Sequence, residues 1–420
     1  VSTSIHKGVL NFLRELDRRF KVMLVAIGLY SWASNLTLKY NQLYATALGA
    51  DPLELGSLNS IGGVANSIIS APTGWFIDRY GVKKVIILGL ALSAIVSAIY
   101  GYASNWLMLI PAIILSQISF RMIIPLTDII FIGTSKPRSR ARAMGLSRAI
   151  WAIPSALAPM TAAAIVSAFG GINVQGIRPL YLVQLGAITL IMVFVIFALE
   201  ELHIQRTAGE RVMDQGKSGL IEGFKELFEG ERWLKEWAIL MGLWRFGMSL
   251  SMPFIPLWMV NVKGADPYIL GAISTAGIIT SALLQIPMGI IADRIGRKKT
   301  FFLLRPFSYL GTLLLILAPS PELLIPVGIL GVLGSMDGMA GVSFIPFITM
   351  YWEAVPAEKR GRWFGFTGIF NIFAVPASML GGFLWQVGLK EWVLLLPVLI
   401  EVSSIVPILM RIPDTLGRPK

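Results

Sequence analysis

The sequence predicts an all-α integral membrane protein with twelve transmembrane helices in two repeated halves of six. Three observations carry this. The 420-residue chain is 55% hydrophobic and only 14% charged, with a mean hydropathy of +0.71, whereas a soluble globule carries about 25% charge. Its apolar residues gather into runs of membrane-spanning length. Its charged loops recur at a nearly constant offset. Disorder, coiled coil and a collagen-like fibre are excluded, since none is this apolar.

A hydrocarbon core of about 30 Å needs about 20 helical residues, more when a helix tilts. Apolar runs broken by charge or by Gly and Pro fall at 22–48, 53–77, 85–103, 106–134, 142–169 and 180–199. A second set falls at 236–261, 268–292, 300–318, 322–352, 362–388 and 392–411. They are continuous, unlike the roughly ten-residue alternation of a barrel strand. The chain therefore divides into a charged amphipathic arm (1–21), a first half (22–200), a polar linker (201–235), a second half (236–411) and a tail (412–420). The arm runs straight into a full-length span, which argues against a cleavable signal peptide.

The net charge of +12 is explained by topology. Of the 36 Lys and Arg, 28 lie in the arm, the alternate loops, the linker and the tail. Only Arg178, Lys263 and Lys390 lie in the opposite loops. That bias predicts both termini in the cytoplasm and a plasma or inner membrane location. The basic side then faces anionic lipid, and nucleic acid is not expected as a partner. Cysteine is absent, and His6 and His203 lie outside the spans. No metal, cofactor or Cys- or His-based catalysis is expected. No nucleotide loop of the G-x4-G-K-[ST] kind occurs, so ATP hydrolysis is not the energy source.

The repeat is explicit. Gly74, Asp78, Arg79, Gly81, Lys83 and Lys84 follow the second span. Gly289, Asp293, Arg294, Gly296, Lys298 and Lys299 follow the eighth, 215 residues later, in the same G-x3-D-R-x-G-x-K-K pattern. Pro137, Arg140, Arg142 and Gly145 after the fourth span are echoed by Pro356, Arg360, Arg362 and Gly365 after the tenth. Internal repeats are what transporter folds are built from. Gly74 and Gly289 would admit a neighbouring helix, and Gly81 and Gly296 suit a turn of positive φ. Asp78 and Asp293 end helices where Arg140 and Arg142, or Arg360 and Arg362, could pair with them as a gate. Glu353 joins that set.

On these loops, the span count and the linker, the chain resembles the major facilitator superfamily of secondary transporters. The resemblance covers nearly the whole chain. It implies two pseudo-symmetric six-helix bundles around a central cavity, lined mainly by the first and fourth helices of each half. One bundle rocks against the other, typically as a monomer. The superfamily's drug–proton antiporters carry an Arg in the fourth span followed four residues later by Gly; here Arg121 is followed by Pro125. Their fifth-span glycine and proline pattern is kept at Gly145 and Pro159, with Pro154, Ala158, Ala162 and Ala163 at other places. Small residues there preserve close packing.

An ionisable group inside a span is a functional candidate, because it is costly unless paired or facing water. Trp32, Asn35, Lys39 and Gln42 share one face of the first span, and Gln117, Arg121 and Asp128 share one face of the fourth. Arg245, Ser249, Met252 and Pro256 follow one face of the seventh. We expect Asn35, Lys39, Gln42, Gln117, Arg121 and Arg245 to bind the solute. Asp337 sits near mid-membrane in a glycine-rich stretch and is the foremost proton carrier, with Arg245 or Arg121 as expected partners. Burial disfavours a carboxylate's charge and such a partner restores it. Asp128 and Glu401 are further proton sites or members of structural ion pairs, Glu401 packing toward Asn371. Arg148 and Arg305 should snorkel to the cytoplasmic interface.

Taken together, these residues predict a secondary transporter moving a small organic solute, possibly anionic, by alternating access coupled to protons. A multidrug or lipid-like amphiphile–proton exporter is the alternative, supported by Trp32, Trp244, Met248 and Met252. A sensor would need a large signalling domain, and every loop except 201–235 is short.

Overall fold

The computed structural model describes residues 17–69, 81–134, 140–200, 232–355, 363 and 372–414. Their regular structure is helical throughout. In the first half α1 runs as Arg18–Leu38 and Asn41–Ala47, α2 as Pro52–Ile69, α3 as Val82–Tyr102, α4 as Leu109–Gly133, α5 as Arg140–Ala168 and α6 as Val174–Ala198. In the second, α7 is Arg232–Ser251 with the short continuations Ile255–Leu257 and Trp258–Val262, α8 is Pro267–Ile295 and α9 is Arg297–Leu317. Next, α10 is split into Ile325–Leu330 and Gly338–Ala354, and α11 is described over Ala374–Gln386. Finally, α12 is Lys390–Ile400, a π turn Glu401–Ile405, and Val406–Arg411. Eight helices among the described residues are long and apolar enough to cross a bilayer.

Helix starts follow local chemistry. Asp51 accepts from the Glu54 amide at 2.7 Å while Glu54 accepts from the Asp51 amide at 2.8 Å, a reciprocal cap for α2. Asp266 caps α8 at the Ile269 amide, and the Asp-Pro pairs 51–52 and 266–267 are again 215 residues apart. Asn173 caps α6 through the Gly176 amide, which starts the helix at Val174, six residues before the apolar run. Gly81 and Gly296 precede α3 and α9 at φ +81° and +104°, the positive-φ turns expected of them.

The halves also repeat in hydrogen bonds. The Tyr44 hydroxyl donates to the Tyr100 carbonyl at 3.0 Å, and the Trp258 indole donates to the Leu315 carbonyl at 3.0 Å. Arg178 donates to the Ala103 carbonyl, and Lys263 to those of Ala318 and Ile316. Tyr100 and Leu315, like Ala103 and Ala318, are 215 residues apart. Two of the three cations in the sparsely charged loops therefore cap the ends of α3 and α9.

Besides α7, broken after Ser251, two spans are interrupted among the described residues, α1 and α10. At Lys39 and Tyr40, α1 turns with neither glycine nor proline to mark it. The break in α10 is built on glycine: Gly331, Gly334 and Gly338 have φ of +73°, +94° and +64°. A membrane-depth break needs its backbone satisfied. Thr312 accepts from the Leu333 amide, Ser335 from the Val332 amide, and Ser281 donates to the Gly338 carbonyl.

Packing shows how the halves meet. One apolar core, containing Leu36, Tyr44, Leu58, Ala162, Phe254, Leu270, Val327 and Ala377, draws on both halves at the end away from the basic loops. Toward the basic end the core separates in two, one part around Phe20, Ile86 and Phe131, the other around Trp237, Phe347 and Tyr351. Lipid offers helices no hydrophobic drive to associate, so close contact and hydrogen bonds must hold the seams. Both occur where α2 meets α11: a Cβ on Gly56 would lie 2.3 Å from the Ser378 carbonyl oxygen, and one on Gly382 2.4 Å from that of Pro52. Asn59 donates to Ser378 at 2.6 Å and Ser60 to the Val375 carbonyl at 2.9 Å. Where α5 meets α8, Thr275 donates to the Ala156 carbonyl, and Gly271 faces Pro159 and Ala163. The small residues of α5 thus serve contact between halves.

Candidate functional site

Between the halves lies a cavity of about 360 Å³, walled by α1, α2, α4 and α7 with single residues of α3 and α11. Its polar lining is Asn41, Gln42, Asn59, Asn66, Tyr100, Ser116, Gln117, Arg245 and Ser249; Met248 and Met252 add soft apolar wall. No Asp or Glu lines it among the described residues.

Arg121 reaches this cavity through Asn66. Its Nε and Nη2 both donate to Asn66 Oδ1, at 3.0 and 2.7 Å. That double contact fixes the guanidinium plane and leaves Nη1 without a partner among the described residues. Arg245 lies over the Trp244 ring, 5.7 Å from its centroid, and Trp244 stacks on Phe344 at 4.6 Å. Trp244 is thereby packing that positions a cation. Among the described residues Arg245 makes no hydrogen bond and has the Trp244 ring face against its charge. Arg245 of the second half thus lines, and Arg121 of the first half borders, a cavity with no acid in its lining among the described residues.

Of the expected solute-binding residues, Gln42, Gln117 and Arg245 line the cavity and Arg121 borders it. Asn35 does not: its amide donates to the Ser31 carbonyl and to Ser155 of α5, filling a helix contact. Lys39 does not line it either. The lysine meets Asp337 at 2.6 Å, tying the break in α1 to the break in α10. Asp337 was expected to pair with Arg245 or Arg121; the turn at Lys39 brings a different cation. Asp337 precedes Gly338 yet makes no cap to its own helix, so its carboxylate is given to Lys39. Gly277 of α8 leaves room for Asp337, whose Cβ would be 2.8 Å from a Cβ there. In the seventh span Pro253, rather than Pro256, joins Arg245, Ser249 and Met252 in the lining, because the helix is interrupted after Ser251.

Glu401 and Arg305 form a separate, closed network. Arg305 does not snorkel: it is 5% exposed and binds Glu401, 2% exposed, in two-pronged fashion. Tyr309 donates to Glu401 at 2.9 Å and Arg305 also donates to Ser343. Arg305, Tyr309 and Glu401 are turned toward one another by the π segment at Glu401–Ile405. The network joins α9, α10 and α12 without lining the cavity. The expected neighbour Asn371 lies outside the described residues.

At the basic end Asp293 pairs with Arg297 one turn on at 3.3 Å, and Arg297 also binds Glu353. These contacts stay within the second half. Gly289, expected to admit a neighbouring helix, has open space around it. Arg294 is exposed. Gly74, Asp78, Arg79, Arg360 and Arg362 lie outside the described residues, as do the side chains of Asp128, Arg140 and Arg142. Asn59 and Asn66 were missed in the sequence, although seven-residue spacing puts them on one face of the second span.

This geometry of paired halves and a central cavity agrees with the comparisons. The family model of the major facilitator superfamily matches residues 22–244 and 237–420. The chain belongs to the major facilitator superfamily. It is a multi-pass membrane transporter. The structure of the nucleoside transporter NupG superposes with a TM-score of 0.71 at 14% identity, covering 94% of this chain and 99% of that one. A bacterial homologue of the human lysosomal transporter Spinster, solved inward-facing and unoccupied, gives 0.68 at 13% identity over 93% and 95%. Multidrug resistance protein 2 of Bacillus subtilis is 24% identical over 247 residues, 58% of this chain. The chain spans 59% of that relative's length.

Proposed function

We propose that this transporter carries a small organic anion, coupled to protons through Asp337. One observation supports the cargo above all: Arg245 lines, and Arg121 adjoins through Asn66, a cavity whose described lining holds no carboxylate. A charge at membrane depth is costly unless paired or watered, so these two favour an anion as the missing partner. The amphiphile reading loses support from the position of an apolar groove of about 560 Å³. Its α2 residues are 57, 60, 61, 64, 65 and 68, whereas the cavity takes 55, 58, 59, 62, 63 and 66. At 100° per residue these are opposite faces of the helix, so the groove backs onto lipid, away from the arginines.

The coupling reading rests on the Lys39–Asp337 pair, which bridges the halves at the end where their cores join. A proton on Asp337 would remove its charge, release Lys39 and loosen that seam. With both termini cytoplasmic, by the charge bias of the loops, the joined end is the outer one and this structure is closed outward. The halves 22–200 and 236–411 would rock about the linker 201–235, in a monomer within the plasma or inner membrane. Bilayer lipid and protons are its other partners, and the solute leaves chemically unchanged. Glu401 belongs, in this reading, to the rigid frame of the second half.

The test is internal pH in proteoliposomes with a trapped dye, challenged with organic anions, cations and neutral amphiphiles. An anion-triggered pH change that vanishes in Asp337→Asn supports the reading. Anion entry without a pH change removes the proton coupling, and a response to cations alone removes the anion.

A further inference from the structure

Resting on the organic-anion reading, we propose that the cargo is a hydroxylated monocarboxylate, its acid group at Arg245 and its hydroxyls paired with carboxamides of the first half. Asn41, Gln42, Asn59, Asn66 and Gln117 all line the cavity beside that one arginine. A carboxamide offers a carbonyl acceptor and two N–H donors. Neighbouring side chains decide which of these the protein already uses. Asn66 Oδ1 takes Nε and Nη2 of Arg121, so the Asn66 amide nitrogen keeps its donors unspent among the described residues. The Ser378 hydroxyl gives its hydrogen to the Ser249 carbonyl, so it can only accept from Asn59 Nδ2, at 2.6 Å. Asn59 Oδ1 is left as an unspent acceptor. Asn41 Oδ1 accepts from the Tyr181 hydroxyl at 2.8 Å, which again leaves the nitrogen. Gln117 makes no hydrogen bond among the described residues. None of these unspent atoms is enclosed by protein, whereas Gln42 Oε1 is.

The first half thus presents donors from α1, α2 and α4 together with acceptors from α2 and α4. A hydroxyl both donates and accepts, and several on one chain match such a mixed set. A carboxylate only accepts, and it matches the guanidinium of Arg245 on the second half. A plain aliphatic acid would cover the amides without pairing them, which costs binding. Gly62 and Gly63 lie one turn from both Asn59 and Asn66 and put no side chain between them, so a hydroxylated chain can lie along α2. An aromatic cargo finds little to stack on. Tyr100 is the one ring in the described lining, and Tyr181 is already stacked on it at 4.7 Å. About 360 Å³ of cavity suits a molecule of small-metabolite dimensions.

The experiment titrates the purified full-length protein by calorimetry at pH 7.5. The probes are the aldonates gluconate and galactonate, hexanoate, which keeps the charge and chain without hydroxyls, and glucitol, which keeps the hydroxyls without the charge. At least one aldonate should bind about tenfold tighter, or more, than hexanoate and than glucitol, since a site built to pair hydroxyls rejects an analogue lacking them. Gln117→Leu, which breaks no described contact within the protein, should lower aldonate affinity about fivefold more than hexanoate affinity. Its binding of hexanoate also shows that the variant is folded. Arg245→Gln should weaken aldonate and hexanoate alike. Hexanoate binding as tightly as both aldonates would overturn the inference and leave the organic-anion reading standing. Equal losses for both ligands in Gln117→Leu would do the same. No response to either aldonate would also overturn it, with a response to hexanoate keeping the organic-anion reading. Glucitol binding as tightly as the aldonates would remove the carboxylate from recognition and overturn both.

Discussion

Neutralising Asp337 should open the end of the protein at which the halves meet. The Lys39–Asp337 pair spans the halves at 2.6 Å with side chains 29% and 28% exposed. Exposed pairs contribute about 0.2–1 kcal/mol, and breaking a fully buried pair costs about 3–5 kcal/mol. At this partial exposure, about 1–2 kcal/mol is expected after screening. With a factor of ten for each 1.4 kcal/mol, the open population should rise about fivefold to thirtyfold. The chain has no cysteine, so one introduced thiol reports without background. Ser378 suits this: it is buried in the α2–α11 seam, bonded to Asn59 and to the Ser249 carbonyl, and cysteine is close to it in size. In Ser378→Cys, a membrane-impermeant maleimide added outside should react about ten times faster when Asp337→Asn is added. Lys39→Gln should give the same increase, and the double variant no more than either alone. An unchanged or slower reaction would refute the gate, and so would effects of the two substitutions that simply add.

Other outcomes follow from the same contacts. Gly56→Ala should speed Ser378→Cys labelling even with Asp337 intact, because the new methyl meets a backbone oxygen of α11 that cannot turn aside. Glu401→Gln should lower the melting temperature sharply, leaving the buried Arg305 without its counter-ion at a cost of about 3–5 kcal/mol. Replacing Arg305 and Glu401 together by Leu should recover most of that loss, measured by thermal unfolding in one detergent. Asn66→Ala should weaken anion binding about tenfold by freeing the Arg121 guanidinium, since a hydrogen bond to a charged group contributes about 1.5–3 kcal/mol.

Much of this was legible in the sequence because it depends on local chemistry. The spans follow from hydropathy, the positive-φ turns at Gly81 and Gly296 from their glycines, and the cavity faces of Gln42, Gln117 and Arg245 from helical periodicity. Pairings across the fold were not. The turn at Lys39 has no glycine or proline to announce it, yet it is what delivers the lysine to Asp337. Arg305 looked free to reach the interface because its partner lies 96 residues on, in a helix whose π turn no local rule marks. Asn66 is a different kind of miss. Its spacing from Asn59 was visible, but uncharged amides draw less attention than Arg121, the cation that one of them orients.

The most direct test of the central claim is initial uptake of a labelled organic anion into proteoliposomes held at zero membrane potential, comparing Arg245→Gln, Arg245→Lys and the unaltered protein. Saturable anion uptake that falls at least tenfold in Arg245→Gln and is largely kept in Arg245→Lys is the expected result. Anion uptake indifferent to Arg245, or saturable uptake of cations in its place, would contradict the claim that the cavity arginine holds an anionic cargo.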